Sequence, residues 1–325
     1  MDYKLGFGPM SDMIVDILLD YARDRQRPLM IIASRNQVDA DSGYVMTTEQ
    51  LQQKHSRKFY PDTLLCRDHC GPFFLDSERA LSESQALEAT KHTIAHDIEN
   101  GFSLIHIDTS RCTNPYKSAE ELVNFTLSLM PTMYLEFGTE ENIGVAAGVK
   151  KYMEDVRFAC QFPNTKFVVA QTGSLTYEDR QAGTFEFDSV RHLVEYAEAN
   201  GIGLKEHNAD YLSADQLRMR RQAGVHACNI APQLGVLQTQ AIIKLADYYN
   251  VSTNDFRQTV LNSNKWAKWT DSTDSDLRVR VAGHYCFNTD SYRRLEEQLY
   301  QLCNVRLVVE KAVSGCLDLY YTVLY

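Results

Sequence analysis

The chain has 325 residues, 44% apolar and 23% charged, so it can bury a large core and is too ordinary in composition for wholesale disorder. Its formal net charge of −10 excludes the basic stripe that a nucleic-acid surface requires. No apolar run approaches the ~20 residues of a membrane helix. The start, Met1-Asp2-Tyr3-Lys4-Leu5-Gly6-Phe7, lacks the basic-then-apolar order of an export leader, so a cytoplasmic location is expected.

A brief strand over 3–7 opens the series. Ser11 is placed to cap a helix over 12–25, with Ile14, Ile17, Leu18 and Tyr21 at helical spacing. After Pro28, Leu29-Met30-Ile31-Ile32-Ala33 reads as a strand buried on both faces. It exits into Ser34-Arg35-Asn36-Gln37. A helix over 49–58, capped by Thr47 or Thr48, leads past Pro61 to a third strand over 63–66, which exits into Arg67-Asp68-His69-Cys70-Gly71-Pro72. The rhythm continues with helices over 84–100, 119–130, 147–158, 189–199, 214–222 and 238–249. Strands over 103–108, 133–137, 166–170, 203–205 and 227–230 fall between them.

Eight strand–helix units of roughly 25–40 residues each predict an α/β fold, a (β/α)8 TIM barrel over 1–250. A doubly wound open sheet is the weaker alternative, because it would want a Gly-rich first turn. Residues 251–325 lie outside the series and predict a mostly helical C-terminal extension packed on the barrel or at a subunit interface. The span 290–302 is its clearest helix. The eight cysteines (Cys66, Cys70, Cys112, Cys160, Cys228, Cys286, Cys303 and Cys316) lack Cys-x2-Cys spacing and read as reduced thiols. For Cys66 and Cys70 packing is the preferred reading over metal ligation.

In such a barrel all strand exits face one end, so residues distant in sequence converge there. The exits carry Asp68 and His69, His106 and Asp108, Glu136 and Glu140, Gln171, Glu206 and His207, and Asn229. Two imidazoles and a carboxylate can hold a divalent metal with positions left for substrate oxygens. His69, His207 and Glu136 are the expected ligands, for zinc or another divalent cation. Asp68 and Glu140 are the expected acid/base groups, and His106 and Glu206 the groups behind the ligands. Asn36, Gln37, Asp108, Gln171 and Asn229 are the expected substrate contacts.

Taken in order, Ser34-x-Asn36-Gln37-Val38, Gly43-Tyr44, Asp68-His69-x-Gly71-Pro72, Gly101-Phe102-Ser103-x-Ile105-His106-x-Asp108, Gly138-Thr139-Glu140, Glu206-x-x-x-Asp210-Tyr211 and Ser275-Asp276-x-Arg278-x-Arg280 resemble the class II, zinc-dependent ketose-bisphosphate aldolases. They are most similar to the tagatose-bisphosphate aldolase Z-type subunit. The resemblance implies a TIM barrel whose catalytic members use zinc to stabilise the enediolate of a ketose phosphate during reversible aldol cleavage. It puts His69 and His207 on two zinc-ligand positions, Asp68 on the acid/base aspartate and Asn229 on a substrate-contacting asparagine. Glu136 falls where catalytic members carry a glutamate near the metal.

The chain also departs from that pattern. Gln171-Thr172-Gly173 stands where the third zinc histidine follows the sixth strand. Asn208-Ala209-Asp210 replaces a Gly-Gly-Ser phosphate loop, and Asn229-Ile230-Ala231-Pro232 replaces Asn-x-Asp-Thr. Losing small residues removes a backbone cradle for phosphate, and Asp210 would repel it. The expected function is a metal-dependent aldolase-like lyase acting on a ketose or ketose-phosphate-type sugar through a metal-stabilised enediolate. The alternatives are a non-catalytic barrel stabilising a partner aldolase, as the Z-type subunits are regarded, and an epimerase using the same metal site. A sugar or sugar phosphate is the expected small-molecule partner. A homo-oligomer or a complex with a catalytic aldolase subunit is the expected assembly.

Overall fold

The computed structural model describes residues 5–41, 43–139, 144 and 148–325. Eight strands, β1 (Leu5–Phe7), β2 (Leu29–Ser34), β3 (Thr63–Cys70), β4 (Leu104–Asp108), β5 (Tyr134–Gly138), β6 (Thr165–Ala170), β7 (Gly203–Glu206) and β8 (Ala227–Ile230), form a closed parallel barrel. Each pairs with its sequence neighbour, and β1 closes the ring against β8 with Gly6 opposite Asn229. The fold is the TIM barrel that the alternating pattern predicts.

Helices α1 (Asp12–Arg25), α2 (Thr48–Arg57), α3 (Glu83–Glu99), α4 (Pro115–Leu129), α5 (Val149–Ala159), α6 (Phe187–Ala199), α7 (Ala214–Ala223) and α8 (Pro232–Tyr249) follow the strands in turn. Their starts are chemically specified. Ser11 accepts from Ile14 N, and Thr47, Ser82 and Ser213 each complete a capping box with a glutamine at N3. Helices α4 and α8 begin earlier than their apolar periodicity suggests, at Pro115 and Pro232. Proline suits a first turn, where a missing N–H costs nothing. Beyond the barrel, α9 (Asn254–Asn262), α10 (Ser275–Ala282), α11 (Asp290–Tyr300) and α12 (Val305–Leu324) pack back on it, α12 against α1, α7 and α8. Among the described residues no helix is long and apolar enough to cross a membrane.

Strand parity sorts the side chains. Successive residues of a strand alternate between the barrel interior and the helix layer. Inside, Met30, Ile32, Cys66, Leu104, Phe167 and Ala227 form a small apolar core. Outside, a much larger cluster joins strands to helices, from Leu5 and Ile31 to Tyr320 and Leu324. Cys66 and Cys70 belong to these cores, and every cysteine carries a free thiol.

Among the described residues the outer layer also holds three buried ion pairs. Arg67 grips Asp97 of α3 through two bonds, Nε to Oδ2 at 2.7 Å and Nη2 to Oδ1 at 2.6 Å, and donates Nη1 to the carbonyls of Ala33 and Val38. Arg35 binds Glu78 in the same way, and Arg220 of α7 binds Glu206. Arg67 and Asp97 are fully buried, so removing one partner strands the other charge. We expect Asp97→Ala to lower unfolding stability by about 3–5 kcal/mol in urea titration. The double replacement Arg67→Met with Asp97→Leu should cost distinctly less, because no charge is left unpaired.

Candidate active site

The third strand does not stop at Cys66 as its apolar run suggests. It continues to Cys70 through a register shift between Arg67 and Cys70 against β4. His69 sits at the shift with φ of 47°, in the left-handed region that a non-glycine residue adopts at a cost of order 1–2 kcal/mol. Without the bulge, adjacent Asp68 and His69 would face opposite sides of the sheet. With it, both reach the barrel mouth. Gly71 follows because a Cβ there would lie 1.5 Å from the Asp108 carbonyl oxygen.

Four side chains meet at this C-terminal mouth: Asp68 and His69 from β3, His106 from β4, and His207 just after β7. Their donor atoms all lie within 4.8 Å of one another. The three imidazoles form a near-equilateral triangle, with ring centroids 5.4 Å (His69–His106), 5.3 Å (His69–His207) and 5.0 Å (His106–His207) apart. Asp68 Oδ1 is 3.3 Å from His106 Nδ1 and 3.9 Å from His207 Nε2, and Asp68 Oδ2 is 3.8 Å from His69 Nε2. Three nitrogens and an oxygen around one point suit a divalent cation of borderline hardness.

Groups behind the cluster fix its orientation. Asp108 accepts from His69 Nδ1 at 2.6 Å, leaving Nε2 turned toward Asp68, and its other oxygen accepts from the Ser110 backbone and hydroxyl. A carboxylate behind a ligating imidazole is the usual support for a metal ligand. The face of the His69 ring stacks on Phe74 at 5.2 Å. Glu136 of β5 joins His207 Nε2 at 2.8 Å through Oε1 and Lys205 Nζ at 2.5 Å through Oε2. Asn229 Nδ2 lies 3.1 Å from His207 Nε2. Its Oδ1 approaches β1 so closely that a Cβ on Gly6 would come within 2.4 Å.

Burial and neighbouring charges compete at each group of the cluster. Burial pushes Asp68 up, but His69, His207 and His106 outweigh it and hold the carboxyl well below its usual range. Burial likewise opposes ionisation of Glu136, yet Lys205, His106 and His207 bring it down to about 2. His69 is pushed down by burial and then lifted to about 9 by Asp68 and Asp108. For His207 burial prevails, and its pKa falls despite Asp68 and Glu136. Asp68 and Glu136 are thus held ionised beside the converging imidazoles.

Other expected residues lie elsewhere. Glu206 neighbours His207 but points outward by parity. There it accepts from Thr172 Oγ1 and from Arg220, so it braces β7 against α7 instead of backing a ligand. Asn36 bridges to Phe74 O and Asp76 N, and Gln37 accepts from Ser34 N and sits against Met10. Both pin the β2 exit and stand outside the donor group. Gln171 is buried at the β6 exit. Glu140 lies outside the described residues. His106, expected behind the ligands, stands among the donors. Lys205 escaped the sequence reading, although its i, i+2 relation to His207 signals a shared inward face.

Asp210 occupies the start of α8. The β7–α7 loop turns back through Asn208 and Tyr211, both at positive φ, and Asp210 Oδ1 accepts from Ala231 N at 3.0 Å and Gln233 N at 2.9 Å. A helix N-terminus beside the β7 and β8 exits is where barrels often seat a phosphate. Here a protein carboxyl fills it.

Residues 9–124 match the family model described as D-tagatose-1,6-bisphosphate aldolase subunit GatZ/KbaZ-like, so the resemblance read from the motifs holds from α1 into α4. No curated protein matches the chain in sequence. A probable tagatose 6-phosphate kinase from Sinorhizobium meliloti 1021 has the same fold, with TM-score 0.83 at 18% identity over 99% of this chain and 100% of that one. A fructuronate-tagaturonate epimerase from Cohnella laeviribosi follows at TM-score 0.65 and 9% identity, over 98% and 81%. A fructose-bisphosphate aldolase from Campylobacter jejuni gives TM-score 0.55 at 10% identity, over 92% and 90%. At these identities the likeness is one of fold.

The Asp210 cap carries a pH signature. Burial pushes this carboxyl up to about 7 from 3.8, against the backbone N–H groups of Gln233, Ala231 and Asp210 itself and the Thr176 hydroxyl, which pull it down. A folded-state value above the unfolded one favours the protonated form in the fold. Stability from this group therefore falls as pH rises from 3.8 to about 7, and levels off beyond. Asp210→Asn keeps an acceptor for both N–H groups without titrating. Its unfolding midpoint should gain on that of the wild type as pH rises through this window, and a difference flat with pH would refute the assignment.

Proposed function

We propose that the protein is a metal-dependent enzyme of aldolase type, making or breaking a carbon–carbon bond in a ketose-type sugar. The observation that carries this reading is the meeting of Asp68, His69, His106 and His207 within 4.8 Å at the barrel mouth. The donor set fits a divalent ion such as zinc: His69, His106 and His207 would hold it, and Glu136 stands next to them as the further carboxylate. Bound there, the ion supplies a Lewis acid for a substrate carbonyl oxygen.

The chain's own groups supply the rest. Asp68 faces the same point as the imidazoles and is ionised, so it is placed to accept a proton from a substrate hydroxyl and return it to carbon or oxygen. Asp108 holds the His69 ring, and the Lys205–Glu136 pair holds His207. Asn229, with Nδ2 at His207, is assigned a substrate contact at the donor group. Gln171 lies at the neighbouring exit, and we assign Glu140 a supporting acid/base role from its place after β5. The Asp210 cap argues for a substrate end without phosphate on the α8 side. The eight free thiols suit a reducing cytoplasm.

A second reading is a non-catalytic subunit that stabilises a partner aldolase chain, supported by the likeness of residues 9–124 to an aldolase-subunit family. An epimerase using the same donors is a variant of the first reading, in line with the epimerase of similar fold.

Protein purified without chelator should carry about one divalent ion per chain by elemental analysis, lost in His69→Ala and in His207→Ala. Asp68→Asn should retain the ion while aldol turnover drops by about 10²-fold or more. Metal-free protein that copurifies with a second aldolase chain would instead establish the subunit reading. Chelation should also lower the thermal midpoint of the wild type, and added zinc should restore it.

A further inference from the structure

Among the described residues the exit of β6 gives no side chain to the donor group, yet two hydroxyls there reach the end of β7. Thr172 Oγ1 donates to Glu206 Oε1 at 2.5 Å, on the outward side. Ser174 Oγ donates to the main-chain carbonyl of His207 at 2.7 Å. Ser174 is 2% exposed, so this second bond is made away from water.

His207 needs such a bond because the sheet no longer holds it. Strand β7 pairs with β6 as far as Glu206 opposite Ala170, and with β8 as far as Glu206 opposite Cys228. His207 is the first residue beyond both ladders, and Asn208 after it turns into the left-handed region with φ of 56°. The ring is anchored at Nε2 by Glu136, 2.8 Å away. The Ser174 bond fixes the other end, the peptide from which the ring departs. A donor held at both ends keeps its direction, which is what a shared donor site demands of each member.

Ser174 is itself firmly carried. Gly173, with φ of 89°, turns the chain between the two hydroxyl residues. A hairpin of Thr176–Tyr177 with Arg180–Gln181 follows. Gln181 joins this segment to the loop after β7. Its Oε1 accepts from Leu175 N at 2.5 Å, one residue past Ser174, and its Nε2 donates to Asn208 O at 3.0 Å and Asp210 O at 3.1 Å. Ala182 N donates to Leu175 O at 2.8 Å, and a Cβ on Gly183 would lie 1.7 Å from Gly173 O. The serine therefore projects from a segment closed on itself, and one amide ties that segment to the residues on the far side of His207.

We infer that Ser174 and Gln181 are positioning residues for the donor group: through His207 they set the geometry offered to a cation while touching neither cation nor substrate. This assignment rests on the functional reading above and gives the β6–α6 segment a part in the same site. Groups that orient a metal ligand typically cost about 10–100-fold in affinity when removed. A hydroxyl that served stability alone would leave the affinity where it was.

Zinc competition titration of the full chain against a coloured chelator tests the inference, with the visible absorption of the cobalt(II)-loaded protein as a readout of geometry. Ser174→Ala should weaken zinc binding about tenfold or more and alter the cobalt spectrum. Gln181→Leu should act in the same direction. Leu18→Ala, a truncation of a fully buried side chain in α1, should lower the urea midpoint yet keep the wild-type zinc affinity and cobalt spectrum. Wild-type affinity and spectrum in Ser174→Ala overturn the inference, as does an equal loss of affinity in Leu18→Ala. The same result in Gln181→Leu removes the glutamine from it. Wild-type protein that binds neither ion overturns the functional reading and this inference with it, whereas tight binding unchanged by Ser174→Ala overturns only this one.

Discussion

The ion pair between Lys205 and Glu136 is the fixed point of the barrel mouth. Both side chains are 1% exposed, and their charged atoms meet at 2.5 Å. An unpaired charge at that depth costs several kcal/mol, so neither side chain has a tolerable alternative to the other. Glu136 is thereby held with one oxygen committed to the lysine and the other facing His207. The imidazole is oriented by a carboxylate that is itself immobile. Below lies the apolar interior of Met30, Ile32, Leu104 and Phe167, and above it the polar group opens toward solvent. The pair marks the boundary between the part of the barrel that provides stability and the part that provides chemistry.

Two devices then bring the remaining donors to one point. Parallel strands with period-two alternation turn His106, Glu136, Lys205 and Asn229 inward without any special backbone. Asp68 and His69 are consecutive and need the bulge at β3, which stores a left-handed residue in the middle of the candidate site. Strain of this kind persists only where its surroundings over-determine it. Here Asp108 grips the His69 ring, Phe74 stacks on it, and the His69 N–H lies 3.2 Å from His106 Nδ1.

Much of this was legible in the sequence, for reasons that particular residues make plain. Leu29 to Ala33 reads as a strand buried on both faces, and the recurrence of such runs between helical periods favours a closed parallel barrel over a doubly wound open sheet. The Asp68–His69 pair and His207 were visible because strand exits share one end. The length of β3 was not, since its last residues are polar and a bulge leaves no mark on composition. Glu206 misled because it adjoins His207, and only the inward direction of His207 shows that its neighbour must face the helices. Lys205 reads as an exposed residue until Glu136 is set beside it from 69 positions away.

The C-terminal helix has a reach that its position in the chain conceals. Tyr320 of α12 donates its hydroxyl to Ala209 O at 2.5 Å and receives Leu212 N at 3.4 Å, so the loop just past His207 hangs from a side chain 111 residues downstream. That loop also carries Asp210 back to α8. Trailing helices of barrel proteins are ordinarily free to drift in sequence provided they stay amphipathic. In this protein one phenol removes that freedom and makes the last helix a working strut of the mouth.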